Sequence, residues 1–170
     1  MNRADITLRP EQPADASGIR KLLEAAFGGT AEADLVENLR ADRDLKWTRV
    51  ALDPSGAILG YVAFPRLVLA TRDGERDVIG LAPLAVAPAH QRRGIGSALV
   101  RAGLDGAVRD EELVFVLGDP AYYRRFGFDP RLGADYASPY AGPHFMALRL
   151  ADDAPRGGTV IYPRAFSKLA

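Results

Sequence analysis

The residues with the clearest chemical meaning lie in one short stretch near the middle of the chain. It reads Gln91-Arg92-Arg93-Gly94-Ile95-Gly96-Ser97, and a long amphipathic pattern follows it. A helix that begins near Gly94 turns unpaired backbone N–H groups, and the positive end of its dipole, toward whatever lies before it. The two glycines keep side chains away from a bound anion, and the two arginines add positive charge. The stretch therefore predicts a site for a phosphate or diphosphate group.

Two other glycine motifs that bind phosphates fit this stretch less well. The dinucleotide fingerprint requires a small residue three positions after its second glycine, where this chain has Leu99. The phosphate loop of nucleoside triphosphatases requires glycine, lysine and then serine or threonine, and that triplet is absent from the sequence. A Gly-x-Gly before a helix is also compatible with a simple flexible turn, so the specific signal is the order of strand, glycine loop and long helix.

A second group of candidate residues follows the next strand, at Asp119 to Tyr123. Asp119 precedes Pro120 as an N-cap precedes the first helical residue, which predicts a short helix. Tyr123 carries a hydroxyl that can donate a proton, but aromatic residues at this spacing also serve as packing. Both interpretations of Tyr123 stay open on the residues alone.

The composition excludes several classes of function. Lysine and arginine number 22, as do aspartate and glutamate, so no overall positive field attracts nucleic acid or an anionic membrane. The chain has no cysteine, which excludes disulfides, thiolate zinc sites and acyl-cysteine intermediates. Its two histidines cannot make a metal site by themselves. We therefore expect no metal, no nucleic-acid partner and no membrane partner.

The length and the beginning of the chain indicate its organisation. A chain of 170 residues with 48% apolar and 26% charged residues is typical of one folded domain, which we expect to span residues 1–170. The charged start, Met1 to Asp5, has no apolar run behind it and so predicts no secretory signal. We expect a cytoplasmic protein.

The elements that must position the candidate residues follow from hydrophobic periodicity and from turn residues. The predicted helices run from Asp15, as a cap, to Gly28, from Glu32 to Ala41 and from Gly94 to Arg109. The predicted strands are Ile6 to Arg9, Thr48 to Leu52, Ile58 to Leu69, Asp77 to Val86, Leu113 to Leu117, His144 to Leu150 and Thr159 to Tyr162.

This order predicts an α/β (α+β) fold with a mixed sheet and helices on both faces. The three central strands read as an antiparallel meander because turn residues separate them. The continuous apolar run Leu113 to Leu117 after the long helix predicts a parallel crossover. Pro83 cannot donate a ladder hydrogen bond, so we expect a bulge or a splayed edge there.

With these motifs in place, the chain resembles the GNAT superfamily of N-acetyltransferases. The family's main motif, Gln or Arg, two residues, Gly, one residue, Gly or Ala, matches Gln91 to Gly96. Its later element, tyrosine, three residues, Gly-Phe, is similar to Tyr123 to Phe128. Pro83 to Val86 and Leu117 to Pro120 make the chain most similar to the bacterial subgroup labelled YhbS-like. The resemblance covers roughly residues 5–150 and is strongest from 78 to 128.

The resemblance implies a single GNAT-like domain with a mostly antiparallel sheet of six to seven strands and a splayed central parallel pair. It also implies acetyl-CoA as co-substrate, with no metal. The residues implied to bind the cofactor are Leu84, Ala85, Val86, Gln91, Arg92, Arg93, Gly94, Ile95, Gly96 and Ser97. Tyr123 is the implied catalytic proton donor to the leaving thiolate. The strand before the motif lacks the glutamate that many relatives have, so no general base is assigned.

The activity implied is direct transfer of an acetyl group from acetyl-CoA to a primary amine of an unidentified small molecule or protein, by a monomer or homodimer. The acceptor is expected beside Phe27 to Glu32 and the loop from Leu132 to Pro143. Two alternatives stay open. A catalytically silent acyl-CoA-binding regulatory module agrees with the missing strand glutamate, and a nucleotide-binding protein would use the same anion site.

Overall fold

A computed structural model of the chain describes residue 2 and residues 5–169. The expectation drawn from Met1 to Asp5 falls largely outside that description. Within the described residues, no helix is both long enough and apolar enough to cross a membrane.

The described chain alternates short helices with strands of one sheet. The strands are β1 (Thr7–Arg9), β2 (Leu45–Leu52), β3 (Ile58–Thr71), β4 (Gly74–Leu81), β5 (Leu84–Val86), β6 (Leu113–Leu117), β7 (Tyr136–Ala137), β8 (Phe145–Arg149) and β9 (Gly158–Ile161). The helices are α1 (Ala16–Phe27), α2 (Ala31–Ala41), α3 (Ile95–Ala107), α4 (Pro120–Tyr123) and α5 (Pro130–Gly133). Short 3-10 turns lie at Pro13–Asp15, Pro88–His90, Arg124–Phe126 and Arg164–Lys168.

The strands form a nine-stranded sheet in the order β1-β2-β3-β4-β6-β8, with β5 and β9 also pairing with β3, and β7 with β9. Most pairs are antiparallel. The central exception is β4 with β6, where Ile79 lies opposite Val114 and Leu81 opposite Val116. The mixed, mostly antiparallel sheet is confirmed. The strand number differs from six to seven because the predicted strand Asp77 to Val86 is two strands, and because two-residue β7 is too short for an alternating pattern.

Helices cover both faces of the sheet, as expected. Successive side chains of β3 point to opposite faces, so this strand contributes to a hydrophobic cluster on each of them. Tyr61 and Ala63 are fully buried in a cluster that α1 and α2 complete through Ile19, Leu23 and Val36. Val62 and Phe64 are fully buried in the opposite cluster, which α3 completes through Ile95, Leu99 and Val100. The core therefore fixes α3, and the loop before it, against the centre of β3.

The predicted break at Pro83 is confirmed and opens the sheet. β4 pairs with β3 up to Ile79 and with β6 up to Leu81, whereas β5 pairs only with β3. At the break, the Ala63 amide donates to the Pro83 carbonyl at 3.1 Å, and the Ala63 carbonyl accepts from the Ala82 amide at 3.0 Å. Because β5 has no partner on its other side, a gap separates it from β6. This is the splayed parallel pair.

Two predicted helix ends are confirmed, whereas α3 ends at Ala107, two residues before the predicted Arg109. Gly28 ends α1 with φ 74°, and the Asp119 carboxylate caps α4 by accepting from the Ala121 amide at 3.0 Å. Asp15 was expected to cap α1, and this is wrong. It lies in a helical 3-10 turn, and its carboxylate accepts from the Gln12 amide and from the Arg9 guanidinium, both at 2.7 Å. The Arg9 hydrogen bond holds the pKa of Asp15 below its usual value.

Candidate functional site

The loop between β5 and α3 leaves the N-terminus of α3 without a cap. Gly94, the N-cap residue, has φ 83° and no side chain, and the first amide to bond back is Ala98, to the Gly94 carbonyl at 3.0 Å. The amides of Ile95, Gly96 and Ser97 consequently have no acceptor within the helix. These three N–H groups, with the helix dipole, make a site for an anion.

The backbone before α3 is bent in a way that few residues tolerate. Arg92 has φ 64°, one of two left-handed non-glycine residues in the described chain, and Gly94 is also left-handed. Such strain persists where the surrounding structure fixes it, and it clusters at ligand sites. The Gln91 side chain helps to fix the loop, because its Nε2 donates to the Val86 carbonyl at 3.1 Å.

The free edge of β5 leads away from this loop. The Pro83 carbonyl and the Ala87 amide both form hydrogen bonds with β3. Because the backbone groups of alternate residues in a strand point the same way, the N–H and C=O groups of Ala85 also point toward β3. The N–H and C=O groups of Leu84 and Val86 therefore face the gap between β5 and β6. They can bind an extended ligand as a neighbouring strand would.

A cleft of about 380 Å³ joins the free edge of β5 to the N-terminus of α3. Eight of the ten predicted cofactor residues line it: Leu84, Val86, Gln91, Arg92, Gly94, Ile95, Gly96 and Ser97. The other lining residues are His90, Tyr122 and Arg125. We call this the anion cleft.

Two predicted cofactor residues lie outside the anion cleft. The Ala85 side chain is buried on the opposite face of the sheet, in the cluster with α1, so only its backbone runs along the site. Arg93 is exposed and does not line the cleft. The sequence could not separate Arg93 from Arg92, because the left-handed turn between strand and helix decides which of the two faces the cleft.

The structure adds three cleft residues that the sequence analysis did not assign, and two of them, Tyr122 and Arg125, are held in place by contacts. Tyr122 brings its hydroxyl to 3.4 Å from Ser97 Oγ, and a Cβ at Gly96 would lie 3.0 Å from that hydroxyl. Arg125 donates from Nε to the Tyr122 carbonyl at 2.8 Å and stacks on the Tyr122 ring, 4.5 Å from its centroid. Within the described residues, neither Arg92 nor Arg125 has an ion-pair partner. Both positive charges are thus free for a ligand.

Tyr123 lines a second cavity of about 270 Å³, at the point where β4 and β6 separate. Leu84 lines both cavities, so they meet at β5. Burial, and to a smaller extent the neighbouring Tyr122, raise the pKa of the Tyr123 hydroxyl to about 12. At this pKa the hydroxyl stays protonated near neutral pH. It has no hydrogen-bond partner in the part of the chain that the structure describes, so it is free to donate. We call this second cavity the apolar pocket.

The apolar pocket also contains residues from both regions where an acceptor is expected. Phe27 and Glu32 come from the segment around the α1–α2 connection, and Tyr140 comes from the loop before β8. The pocket further includes Tyr162, Phe166 and Leu169 from the end of the described chain, which the sequence analysis did not connect with the site. Distant segments meet here, and no local pattern signals that.

Two other candidate residues, Asp119 and His144, line neither the anion cleft nor the apolar pocket. Asp119 caps α4, as the sequence favoured, and His144 contacts the Gly118 carbonyl through Nδ1 at 3.1 Å. In the described chain, no group of three or more His, Cys, Asp or Glu residues could hold a metal ion.

The chain is similar in sequence to a family of known proteins. The family model described as an acetyltransferase (GNAT) domain matches residues 7–131. The chain is 40% identical over 167 residues to the uncharacterized N-acetyltransferase YhbS of Escherichia coli K12, covering 95% of this chain and 99% of that protein. It is also 40% identical over 136 residues to the uncharacterized N-acetyltransferase YjhQ of the same strain, covering 76% of this chain and 74% of that protein.

Two similar solved structures contain a coenzyme. The crystal structure of Escherichia coli YhbS in complex with CoA has a TM-score of 0.90 and 37% identity, covering 98% of this chain and 94% of that one. A GNAT family acetyltransferase from Brucella melitensis in complex with acetyl-CoA has a TM-score of 0.80 and 35% identity, covering 95% of this chain and 97% of that one.

Proposed function

This chain belongs to the GNAT acetyltransferase family, and on that premise we propose that it transfers an acetyl group directly from acetyl-CoA to a primary amine. The observation that carries the proposal is the meeting of two cavities at Leu84, one with an uncapped helix and free cations, the other with a protonated tyrosine. The first fits a diphosphate and the second fits the reacting groups. The acceptor is a small molecule or a protein.

The anion cleft supplies groups for two parts of the coenzyme, the diphosphate and the pantetheine arm. The diphosphate binds at the amides of Ile95, Gly96 and Ser97, where the helix dipole and backbone donors act together. Arg92 and Arg125 add charge-assisted hydrogen bonds to the phosphate oxygens. The pantetheine arm then runs along the free edge of β5, as an added strand does in β-augmentation, and bonds to Leu84 and Val86.

The junction of the two cavities is where the transfer takes place. A neutral amine attacks the thioester carbonyl carbon, and a β5 amide that faces the gap stabilises the resulting oxyanion. The carbon–sulfur bond then breaks, the sulfur takes the proton of the Tyr123 hydroxyl, and the nitrogen releases its extra proton, which restores the phenol. The protein contributes position and one proton donor, because a thioester is already activated.

The proposal is tested by two measurements on the whole protein. Calorimetry with CoA, ATP and NAD measures which ligand occupies the anion cleft, and a thiol-release assay with acetyl-CoA and a set of primary amines measures transfer. We expect CoA to bind more tightly than either nucleotide, and at least one amine to release free CoA. Tight binding of ATP or NAD without binding of CoA contradicts the proposal. Binding of CoA without release by any amine would instead indicate the silent module.

A further inference from the structure

Six of the sixteen residues that line the apolar pocket are aromatic, and the others are mostly aliphatic. Its aromatic residues are Phe27, Phe115, Tyr123, Tyr140, Tyr162 and Phe166. Several of them hold one another in edge-to-face pairs: Tyr140 and Tyr162 have ring centroids 4.8 Å apart at 82°, and Tyr162 and Phe166 have centroids 5.1 Å apart at 65°. Aromatic rings fixed in this way present flat faces and edges that complement another ring.

One charged side chain, Glu32, lines this pocket. It lies half-buried in the first turn of α2, and in the described chain it has no hydrogen bond or ion pair. By contrast, Asp34 and Glu37 of the same helix both pair with Arg20, at 3.0 Å and 2.9 Å. A carboxylate without a partner beside apolar walls attracts a cation, because the weaker screening there strengthens the pairing.

The size and the rim of the pocket narrow the occupant further. Its volume of about 270 Å³ accommodates a small amine. Phe27 and Leu117, two of the exposed large hydrophobic residues, are 45% and 51% exposed, and both line the pocket. A polyamine has several ammonium groups, whereas Glu32 is the one acidic residue that lines the pocket. The remaining ammonium groups would therefore have no carboxylate to pair with there.

We propose that the acceptor is a small primary amine that carries an aromatic ring, and that Glu32 selects its ammonium group. This inference rests on the proposed acetyl transfer, and it names the substrate class of the same site. The ring lies among the aromatic walls, and the Glu32 carboxylate accepts hydrogen bonds from the ammonium as it enters. The ammonium then loses one proton to solvent, so that its nitrogen attacks the thioester as a neutral amine. Glu32 acts on specificity and capture, whereas Tyr123 acts on the leaving sulfur.

The test compares kcat/KM for 2-phenylethylamine, n-butylamine, spermidine, glucosamine and a lysine-containing peptide with acetyl-CoA. We expect 2-phenylethylamine to exceed the others by about tenfold or more. Glu32→Gln should raise its KM about tenfold and leave the KM of acetyl-CoA unchanged. Asp34→Asn, on the same helix but outside the pocket, should change neither value. Higher kcat/KM for spermidine, glucosamine or the peptide overturns the inference, as does an unchanged KM in Glu32→Gln.

A binding measurement separates the inference from the proposed function. Calorimetry of the CoA complex with 2-phenylethylamine and with neutral 2-phenylethanol reports on the pocket without turnover. We expect Glu32→Gln to weaken the amine about tenfold and to leave the alcohol unchanged. If no amine is acetylated, the acetyl-transfer proposal fails, and this binding difference still decides the ligand class. No detectable binding of 2-phenylethylamine overturns the inference even where other amines are acetylated.

Discussion

Tyr122 and Tyr123 are adjacent in sequence, with ring centroids 5.0 Å apart and ring planes at 88°, yet they line different cavities. Tyr122 lies in the anion cleft and Tyr123 in the apolar pocket. Because both belong to the single turn of α4, their side chains leave the helix about 100° apart. In the proposed reaction, one short helix therefore contributes to cofactor binding on one side and to the reacting groups on the other.

This division predicts different kinetic defects in two conservative variants. Tyr123→Phe removes the proton donor, so we expect kcat to fall about 10²-fold or more with the affinity for CoA unchanged. Tyr122→Phe removes only the hydroxyl near Ser97, so we expect a modest rise in the KM of acetyl-CoA with kcat nearly unchanged. Steady-state kinetics and CoA calorimetry measure both. Unchanged turnover in Tyr123→Phe removes this residue from the mechanism.

The pKa of Tyr123 predicts the alkaline side of the pH profile. The hydroxyl donates only when protonated, and burial raises its pKa to about 12 from an ordinary value of about 10. Activity therefore falls only as the pH rises toward 12, and we expect kcat to show no loss from this group between pH about 7 and about 10. Single-turnover rates across this range test it. A halving of kcat near pH 10 would indicate an ordinary tyrosine.

Charge at the helix N-terminus should control coenzyme binding. A carboxylate at position 96 enters the anion cleft, so Gly96→Glu should weaken CoA binding about 100-fold or more. Gly96→Gln adds a side chain of almost the same size without the charge, and a Cβ there already approaches the Tyr122 hydroxyl at 3.0 Å. We expect the glutamine variant to bind CoA about tenfold more tightly than the glutamate variant, by calorimetry. Equal losses in the two would mean that space, and not charge, is decisive.

Gly118 should position the Tyr123 ring. A Cβ at Gly118 would lie 2.5 Å from Tyr123 Cε2, so Gly118→Ala must displace the ring. We expect kcat to fall about tenfold while the affinity for CoA stays unchanged. Gly29→Ala, where a Cβ meets open space, is the matched control and should behave as the unaltered protein. If the two alanine variants have equal kcat, the position of the ring does not limit the reaction.

The arginines near the cleft should differ in importance. Arg125→Ala removes a free charge that lines the anion cleft, so we expect the KM of acetyl-CoA to rise about tenfold. Arg93→Ala removes an exposed charge outside the cleft and should have a smaller effect, reduced further by added salt. The two KM values, measured at low and moderate ionic strength, test this order. A larger loss for Arg93→Ala would favour the assignment made from the sequence.

The sequence could predict those parts of the site that depend on residues close to one another in the chain. The turn at Gly94 and the start of α3 depend on neighbouring residues, and Pro83 interrupts a strand because it has no N–H. The apolar pocket could not be predicted, because Glu32, Tyr140 and Phe166 come from three distant segments. The capping role expected of the Asp15 side chain was wrong because its carboxylate accepts from the Gln12 amide and the Arg9 guanidinium instead.

The two hydrogen bonds of Ala63 tie both sides of the strand break to one residue of β3, so main-chain atoms determine where the sheet divides. Under the proposed function, substitutions in the surrounding walls can alter which amine is accepted without moving the place where it meets the thioester. The preference for one amine or another can therefore change while the geometry of the transfer stays the same.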